Sequence, residues 1–425
     1  MMRLPKRHGL HAFPTIGSGR RWTAFLRSTF VIAVGLFLAT VSSKAQTELS
    51  VLDKPLALFF EIKFQQALPL FEQIVEKDPK NAEARTWLAE TYRRMGKIDE
   101  AIENARKALS LNPRSSFAHI VIAQASYPNN DTVLAYVKSA IECDSTDPNA
   151  WLMMWGEAIR HADPALRNKT LRKLVETGFF TKASLAYGRA ELRNLPPDAI
   201  LITNGDMDTY PAQAVQVSEG FRTDVAVIER GHLDINWGCR FVRDHQNVPL
   251  PVSDTDLDSM KDTTDTRGQK LTKSDQIFRG WVEQKLRGDF QRPIALAPTV
   301  EETFYDWNKE HFHYRGMYFL WQAEKVGRTR DTAAIRECLD GIDPDEFTGP
   351  WASLKDRSPV RRYYTKGIVR VLSRVALTYS IELMRAKRFA DADQTLRWLE
   401  VFEKRTELGE VSTNEIQELR KLLNR

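Results

Sequence analysis

One stretch, Ala82 to Pro113, constrains this chain more than any other. It reads AEARTWLAETYRRMGKIDEAIENARKALSLNP, and its residues fall where two packed antiparallel helices need them. Ala89 and Ala101 are small enough for the helices to approach closely. Leu88, Tyr92 and Ala108 form a stripe that the next helix pair covers. Gly96 ends the first helix and lets the chain turn, and Pro113 cannot continue the second. The pattern recurs at a period of about 34 residues, since Ala67 and Pro79 precede Ala101 and Pro113 at that interval. Forward of it, the spacing predicts helices over Ser116–Ser126, Thr132–Glu142, Ala150–Ala162, Pro164–Glu176 and Thr181–Leu192. A unit of this kind cannot bury its apolar face alone, and three or four stacked copies are enough to build a continuous core.

The same residues carry a resemblance to the tetratricopeptide repeat. That resemblance implies a non-catalytic scaffold whose first helices hold a protein or peptide. Arg85, Glu90 and Arg93, on the first helix of the clearest repeat, are expected to be exposed and to contact the partner.

The N-terminus reads as an export signal. Residues 1–29 carry six Lys or Arg and no acid, the apolar run Phe30–Val41 follows, and Ser43-Lys44-Ala45 supplies a small-x-small cleavage site. As a helix that run spans about 18 Å, short of a hydrocarbon core of about 30 Å, so cleavage after Ala45 is the first reading and a retained membrane anchor the second. Removing residues 1–45 takes seven of the 61 basic side chains and leaves 54 against 56 acidic ones. The basic balance therefore belongs to the signal and gives no reason to invoke nucleic acid. Cys143, Cys239 and Cys338 lie far apart and read as small buried hydrophobes rather than a disulfide framework.

After Leu195-Pro196-Pro197 the period changes. Ala199–Thr203 and Asp224–Ile228 are short unbroken apolar runs, with a helix over Thr209–Glu219 between them and another over Trp237–His245. Pro293–Ala297 gives a third run. Alternating strands and helices predict a small three-layer α/β unit with a parallel sheet. The stretch 253–270, rich in Asp and Thr, reads as a mobile loop. The helical pattern returns in Tyr379, Ser380, Leu383, Phe389, Ala392, Leu396 and Leu399. The expected fold is thus mainly α, with helical repeats over 46–194, an inserted α/β domain over 195–325 and a repeat-like helical region over 326–425.

The segment best placed for chemistry is Asn204-Gly205-Asp206-Met207-Asp208-Thr209, directly after the first strand, where ligands of parallel sheets collect. Asp206 and Asp208 with Asn204 could hold a divalent cation through oxygens. Equally, Gly205 could supply a positive φ while Asp206, Asp208 or Thr209 caps a helix beginning near Tyr210. The stretch LPPDAILITNGDMDTYPAQAVQVSEGFRTDVAVI resembles the soluble C-terminal region of bacterial membrane proteins of the protein O-mannosyltransferase type. The likeness runs through Gly205, Asp206, Asp208, Thr209, Tyr210, Pro211, Glu219, Gly220, Arg222, Asp224 and Val225, with Arg292-Pro293-Ile294 as a second landmark. It implies an envelope setting near glycans or a glycosylation complex, and no activity, because the membrane part that would transfer sugar is missing. His311 and His313 alternate as zinc ligands on a strand would, but they lie in the aromatic segment FYDWNKEHFHYRGMYFLW, which reads as packing. The sequence thus supports a periplasmic repeat adaptor without a cofactor, with a metal- and glycan- or sugar-nucleotide-binding α/β domain as the alternative.

Overall fold

The computed structural model describes residues 50–425 apart from 128, 328–329, 352, 407–411 and 424–425. The export segment, its cleavage site and the apolar run before it lie outside the described residues. Among the described residues no helix is long and apolar enough to cross a membrane.

Four helix pairs open the structure: α1 (Asp53–Phe60) with α2 (Phe64–Lys77), α3 (Ala82–Arg94) with α4 (Ile98–Leu111), α5 (Ser116–Ala125) with α6 (Asn130–Cys143), and α7 (Pro148–Arg160) with α8 (Pro164–Glu176). Their starts are written in the sequence. Asn81, Ser115, Asn129, Asp147 and Asp163 each accept a bond from a backbone amide two or three residues ahead, which satisfies a donor the first turn would otherwise leave open. Ala67, Ala89, Ala101, Ala105 and Ala108 have no solvent exposure, and Leu88 is buried beside them. Tyr92 is only half-buried, and its hydroxyl reaches Glu72 at 2.7 Å. Gly96 holds φ +77° in the turn between α3 and α4.

Helix α9 (Lys182–Leu192) leads out of the array, with Ala183, Ala186, Tyr187 and Ala190 in the core of the C-terminal helices and Leu192 in that of the sheet. It lies against α10 (Asp206–Glu219), and the crossing is close because residue 188 is glycine: a Cβ there would sit 2.6 Å from the Pro211 carbonyl carbon and oxygen. Strand β1 (Ile200–Thr203) precedes α10, and β2 (Ala226–Glu229) follows it. Next come α11 (Asn236–His245), α12 (Asp254–Ser259), the small hairpin of β3 (Thr263–Thr264) and β4 (Lys270–Leu271), α13 (Lys273–Arg287) and β5 (Ile294–Leu296). A short α14 (Glu302–Tyr305) leads to β6 (Phe312–Tyr314) and β7 (Phe319–Trp321). The main sheet runs β2-β1-β5-β7-β6. β1 pairs in parallel with β2 (Ile200 opposite Ala226) and with β5 (Ile200 opposite Ile294), as the apolar runs predict. β7 and β6 extend it antiparallel, so the sheet is mixed and not purely parallel. The aromatic segment hid these two strands: Phe312, Tyr318, Leu320 and Trp321 are core residues of this domain, while Trp307 and Tyr314 are half-buried.

The stretch 253–270, expected as a mobile loop, is instead built into the domain. Ser253 caps α12, Leu257 is fully buried, and Asp254 and Asp258 pair with Arg243 and Arg240 of α11 at 2.7 and 2.6 Å. One buried leucine and charges answered by a neighbouring helix order a segment whose composition alone predicts none.

The C-terminal part comprises α15 (Thr332–Asp340), the long α16 (Pro359–Arg385), α17 (Phe389–Arg405) and α18 (Thr413–Leu423). Leu383, Ala392, Leu396 and Leu399 are buried between α16 and α17, with Lys387 turning the chain at φ +58°. Phe389 is half-exposed instead of packed. All three cysteines are free, and Cys239 and Cys338 are buried.

Two arginines tie the amino ends of the strands together. Arg222 donates to the carbonyls of Leu192, Arg193, Leu195 and Pro196 at 2.8–3.2 Å and to both oxygens of Asp224. Arg292 donates to the carbonyls of Asp198, Ala199, Asp224, Gln246 and Asn247. A planar fork with five N–H groups suits this work, and an ammonium does not. Arg222→Lys is therefore expected to destabilise the protein by about 3 kcal/mol, because several carbonyls lose their donor together. Urea unfolding checks this, and an unchanged midpoint would contradict it.

Candidate functional site

Strand β1 lies between β2 and β5, so the connection leaving β1 and the connection leaving β2 go to opposite sides of it. With right-handed crossovers the helices then cover opposite faces, and a crevice opens beyond the carboxyl ends of β1 and β5. A cleft of about 630 Å³ occupies that place. Its walls come from the turn after β1 (Asn204 to Asp208), the turn after β5 (Pro298, Thr299, Glu301), Tyr314 and Phe319 of the antiparallel strands, and α16 (Gly367, Ile368, Arg370, Val371, Arg374).

Asp208 organises the turn. Its carboxylate accepts the amides of Asn204 at 2.9 Å and Gly205 at 3.0 Å and the hydroxyl of Thr299. It thereby joins the end of β1, the start of α10 and the turn after β5. The helix-cap reading of this segment is the one the geometry bears out for Asp208, with two differences from the expected form. Helix α10 begins at Asp206, ahead of Tyr210, and Gly205 is extended at φ −174°, not left-handed. Burial raises the Asp208 carboxyl, and the bonds from Thr299, Asn204 and Gly205 pull it back only in part. Thr209 donates to the Gly205 carbonyl and meets Thr203, which fastens α10 to β1 from inside.

Asp206 points elsewhere, to Arg361 at 3.0 Å. Asn204 is exposed at the mouth. Among the described residues no three His, Cys, Asp or Glu side chains are placed to hold a metal ion. His311 is likewise engaged, its Nδ1 lying 2.9 Å from the Gln322 carbonyl and its ring stacked on Trp321. Burial pushes the thiols of Cys239 and Cys338 up to about 12.

Beside Asp206 lies a second buried group that sequence reasoning missed. Tyr210 packs on Trp155 at 4.5 Å, and Trp155 meets the ring of His232 at 5.5 Å. Burial, reinforced by Asp206 and Asp208, pushes Glu229 up to about 8. Burial, with Arg167 nearby, brings His232 down to about 4. At neutral pH both are uncharged, so their 3.6 Å approach is not an ion pair. No spacing rule flags such a group, because its members come from α7, α10, β2 and the short 3-10 helix Arg230–Asp234 that follows β2.

A larger polar cleft, about 870 Å³, opens at the amino ends of the strands beside Arg292 and Asp224. Arg292 and Asp224 there are engaged in the arginine clamps, although Arg167 and Arg172 also line it. We place the candidate site at the carboxyl ends, where the strand order puts ligands.

The face built by the first helices of the repeats is occupied by the chain itself. Residues 353–358, leading into α16, lie on it as a strap that makes a turn over Ser353–Asp356 before running on through Arg357. Asn149 holds the strap backbone from both sides, donating to the Lys355 carbonyl at 2.8 Å and accepting the Arg357 amide at 3.4 Å. The Arg357 guanidinium bonds buried Asp147 at 2.7 Å and lies over Phe117 at 4.4 Å. Further along, Arg362 covers Phe60 at 4.3 Å. Burial alone would raise Asp147, but Arg357, Asn149 and Ser116 together hold it below the ordinary carboxylate range. The expected contact residues lie off this strap. Glu90 is 2 % exposed and not open as expected, because its carboxylate is needed internally by Arg93 and Arg94. Arg93 is thus tied to Glu90, and Arg85 is half-buried against Asn104 and the Pro79 carbonyl at 3.3 Å.

Two family models match separate parts of the chain. Residues 63–125 match the tetratricopeptide repeat family. The chain carries tetratricopeptide repeats. Residues 184–285 match the family described as TMEM260-associated domain 2, a span that starts inside α9 and so includes the helix packed on Pro211. No curated protein matches the chain. Among solved structures it is similar to TTC0263, a thermophilic TPR protein of Thermus thermophilus, at 17% identity and TM-score 0.30 over 45% of this chain and 95% of that one. It is also similar to MamA, at 15% identity and TM-score 0.27 over 46% and 94%.

The buried carboxyl of Glu229 sets a pH test. Its folded value lies above its unfolded one of about 4.5, so stability falls as pH rises from about 4.5 towards 8. Glu229→Gln should leave melting near pH 5 unchanged and stabilise the protein near pH 8.5 by about 1 kcal/mol or more. Equal effects at both pH values would contradict the assignment.

Proposed function

We propose that the protein is an exported adaptor of the cell envelope whose tetratricopeptide repeats hold an extended segment of a protein partner. The repeats support the interaction role, since stacked helix pairs of this kind present long binding faces. The basic, apolar and small-residue succession over residues 1–45 supports export to the periplasm. The likeness of residues 195–320 to the soluble part of O-mannosyltransferase-type membrane proteins supports an envelope glycosylation setting. Arg85 and Arg93 remain candidates for the rim of the partner surface.

One observation carries the reading: Asn149 bonds the backbone of residues 355 and 357 while Asp147 and Phe117 take the arginine between them. Main-chain bonds with one charged anchor in a lined pocket are how extended peptides are recognised. The strap is a resident example of what this face accepts, and a partner presenting Lys-x-Arg after a similar turn has the same chemistry. A second reading, in which the α/β domain takes a glycan or sugar nucleotide, is favoured by the cleft at the carboxyl ends of β1 and β5. Its divalent-cation form lacks a ligand set among the described residues.

A labelled peptide, SLKDRSPVRR, copying residues 353–362, tests the adaptor reading. The tethered strap competes at an effective concentration of order millimolar, so wild type should bind the peptide weakly. Arg357→Ala empties the Asp147 pocket and should bind it at least about tenfold more tightly, read by fluorescence anisotropy. No binding to either protein would move the partner site off this face.

A further inference from the structure

We propose that the cleft beyond β1 and β5 binds a nucleoside diphosphate, with Arg370 and Arg374 on the diphosphate and the aromatic wall against the base. The inference rests on the second reading above, that the α/β domain takes a ligand of its own, and it names the ligand class. The cleft's volume of about 630 Å³ falls in the usual range for small-molecule sites, about 300–1,000 Å³. Its position is the one the strand order reserves for ligands.

The walls are chemically divided. Arg370 and Arg374 are one helical turn apart on α16, both are exposed, both line the cleft, and neither has an ion-pair partner among the described residues. Arg222 and Arg292, by contrast, are engaged by carbonyls, and Arg361 by Asp206. Two adjacent unpaired guanidinium groups over a cleft match a diphosphate, which offers oxygens for several parallel N–H bonds. Beside them, Tyr314 and Phe319 form a ring pair 5.1 Å apart, and Met207 with Ile368 and Val371 of the same helix α16 continues the apolar lining. An aromatic and aliphatic wall of this kind accepts a flat base by stacking. Between the two regions, exposed Asn204 and Glu301 offer acceptors and a donor for ribose hydroxyls. The amides of Asn204 and Gly205 are already taken by Asp208, so the arginines, and not the start of α10, supply the anion recognition.

The test uses the full chain with ADP and UDP as probes, and with pyrophosphate, adenosine, uridine and mannose as controls, by thermal shift and titration calorimetry. ADP or UDP should raise the melting temperature and bind at least about tenfold more tightly than pyrophosphate or the nucleosides. Arg370→Glu and Arg374→Glu, both at exposed positions, should keep the unliganded melting temperature and weaken the diphosphate at least tenfold. The proposal is overturned if neither diphosphate binds at millimolar concentration, if binding survives both charge reversals, or if pyrophosphate binds as well as ADP. Mannose binding without diphosphate binding would overturn the proposal and leave the second reading standing. No binding by any probe would remove both.

Discussion

A buried carboxylate needs a cation, and Asp147 finds one in Arg357, 210 residues further along the chain. Asp147 is also the cap of α7, so the same side chain starts a repeat helix and anchors the strap. The strap runs straight into α16, and α16 carries Arg361 to Asp206 and forms one wall of the cleft with Arg370 and Arg374. The ion pair and the backbone clamp at Asn149 thereby join strap to repeat array, and the helix beyond the strap carries the link to the α/β domain, on which the array also packs directly through Trp155 and Tyr210. Breaking such a pair from one side leaves a bare charge in a buried place, and the cost is large compared with that of a surface pair.

The α/β domain separates support from recognition by strand end. Arg222, Asp224 and Arg292 work at the amino ends, where carbonyls at the start of the sheet need donors. Asp208, Thr209 and Thr299 work at the carboxyl ends and hold open the turn that lines the cleft. The polar and turn residues of this domain are therefore of two kinds. Glu219, at 2.7 Å from Arg189, and Pro211, against Gly188, belong with the arginines as structural pieces.

Much of this was legible in the sequence because local rules fix it. Alanines at helix crossings, Asn, Ser and Asp caps, and Gly96 with its positive φ mark the repeats, and three short apolar runs mark β1, β2 and β5. The antiparallel strands β6 and β7 were not legible, since each is three residues long inside an aromatic segment that reads equally as surface packing. Order in 253–270 was not legible either, because it comes from Leu257 and from Arg240 and Arg243 on another element. The same holds for the site. Asp206 and Asp208 look alike in sequence, but one is drawn to Arg361 and the other to backbone amides. Glu90 looks exposed by helical position and is buried by two arginines. The strap on the repeat face has no sequence period at all; only the tertiary fold brings residue 357 to residue 147.

A double-mutant cycle on Asp147 and Arg357, measured by urea unfolding of the full chain, tests the central claim that this pair fastens the strap to the repeats. Asp147→Asn and Arg357→Gln should each destabilise by about 2–4 kcal/mol, and the double mutant should cost little more than either one, a coupling of about 2 kcal/mol. Additive effects with coupling near zero would mean that strap and repeats are held by other contacts, and would contradict the claim.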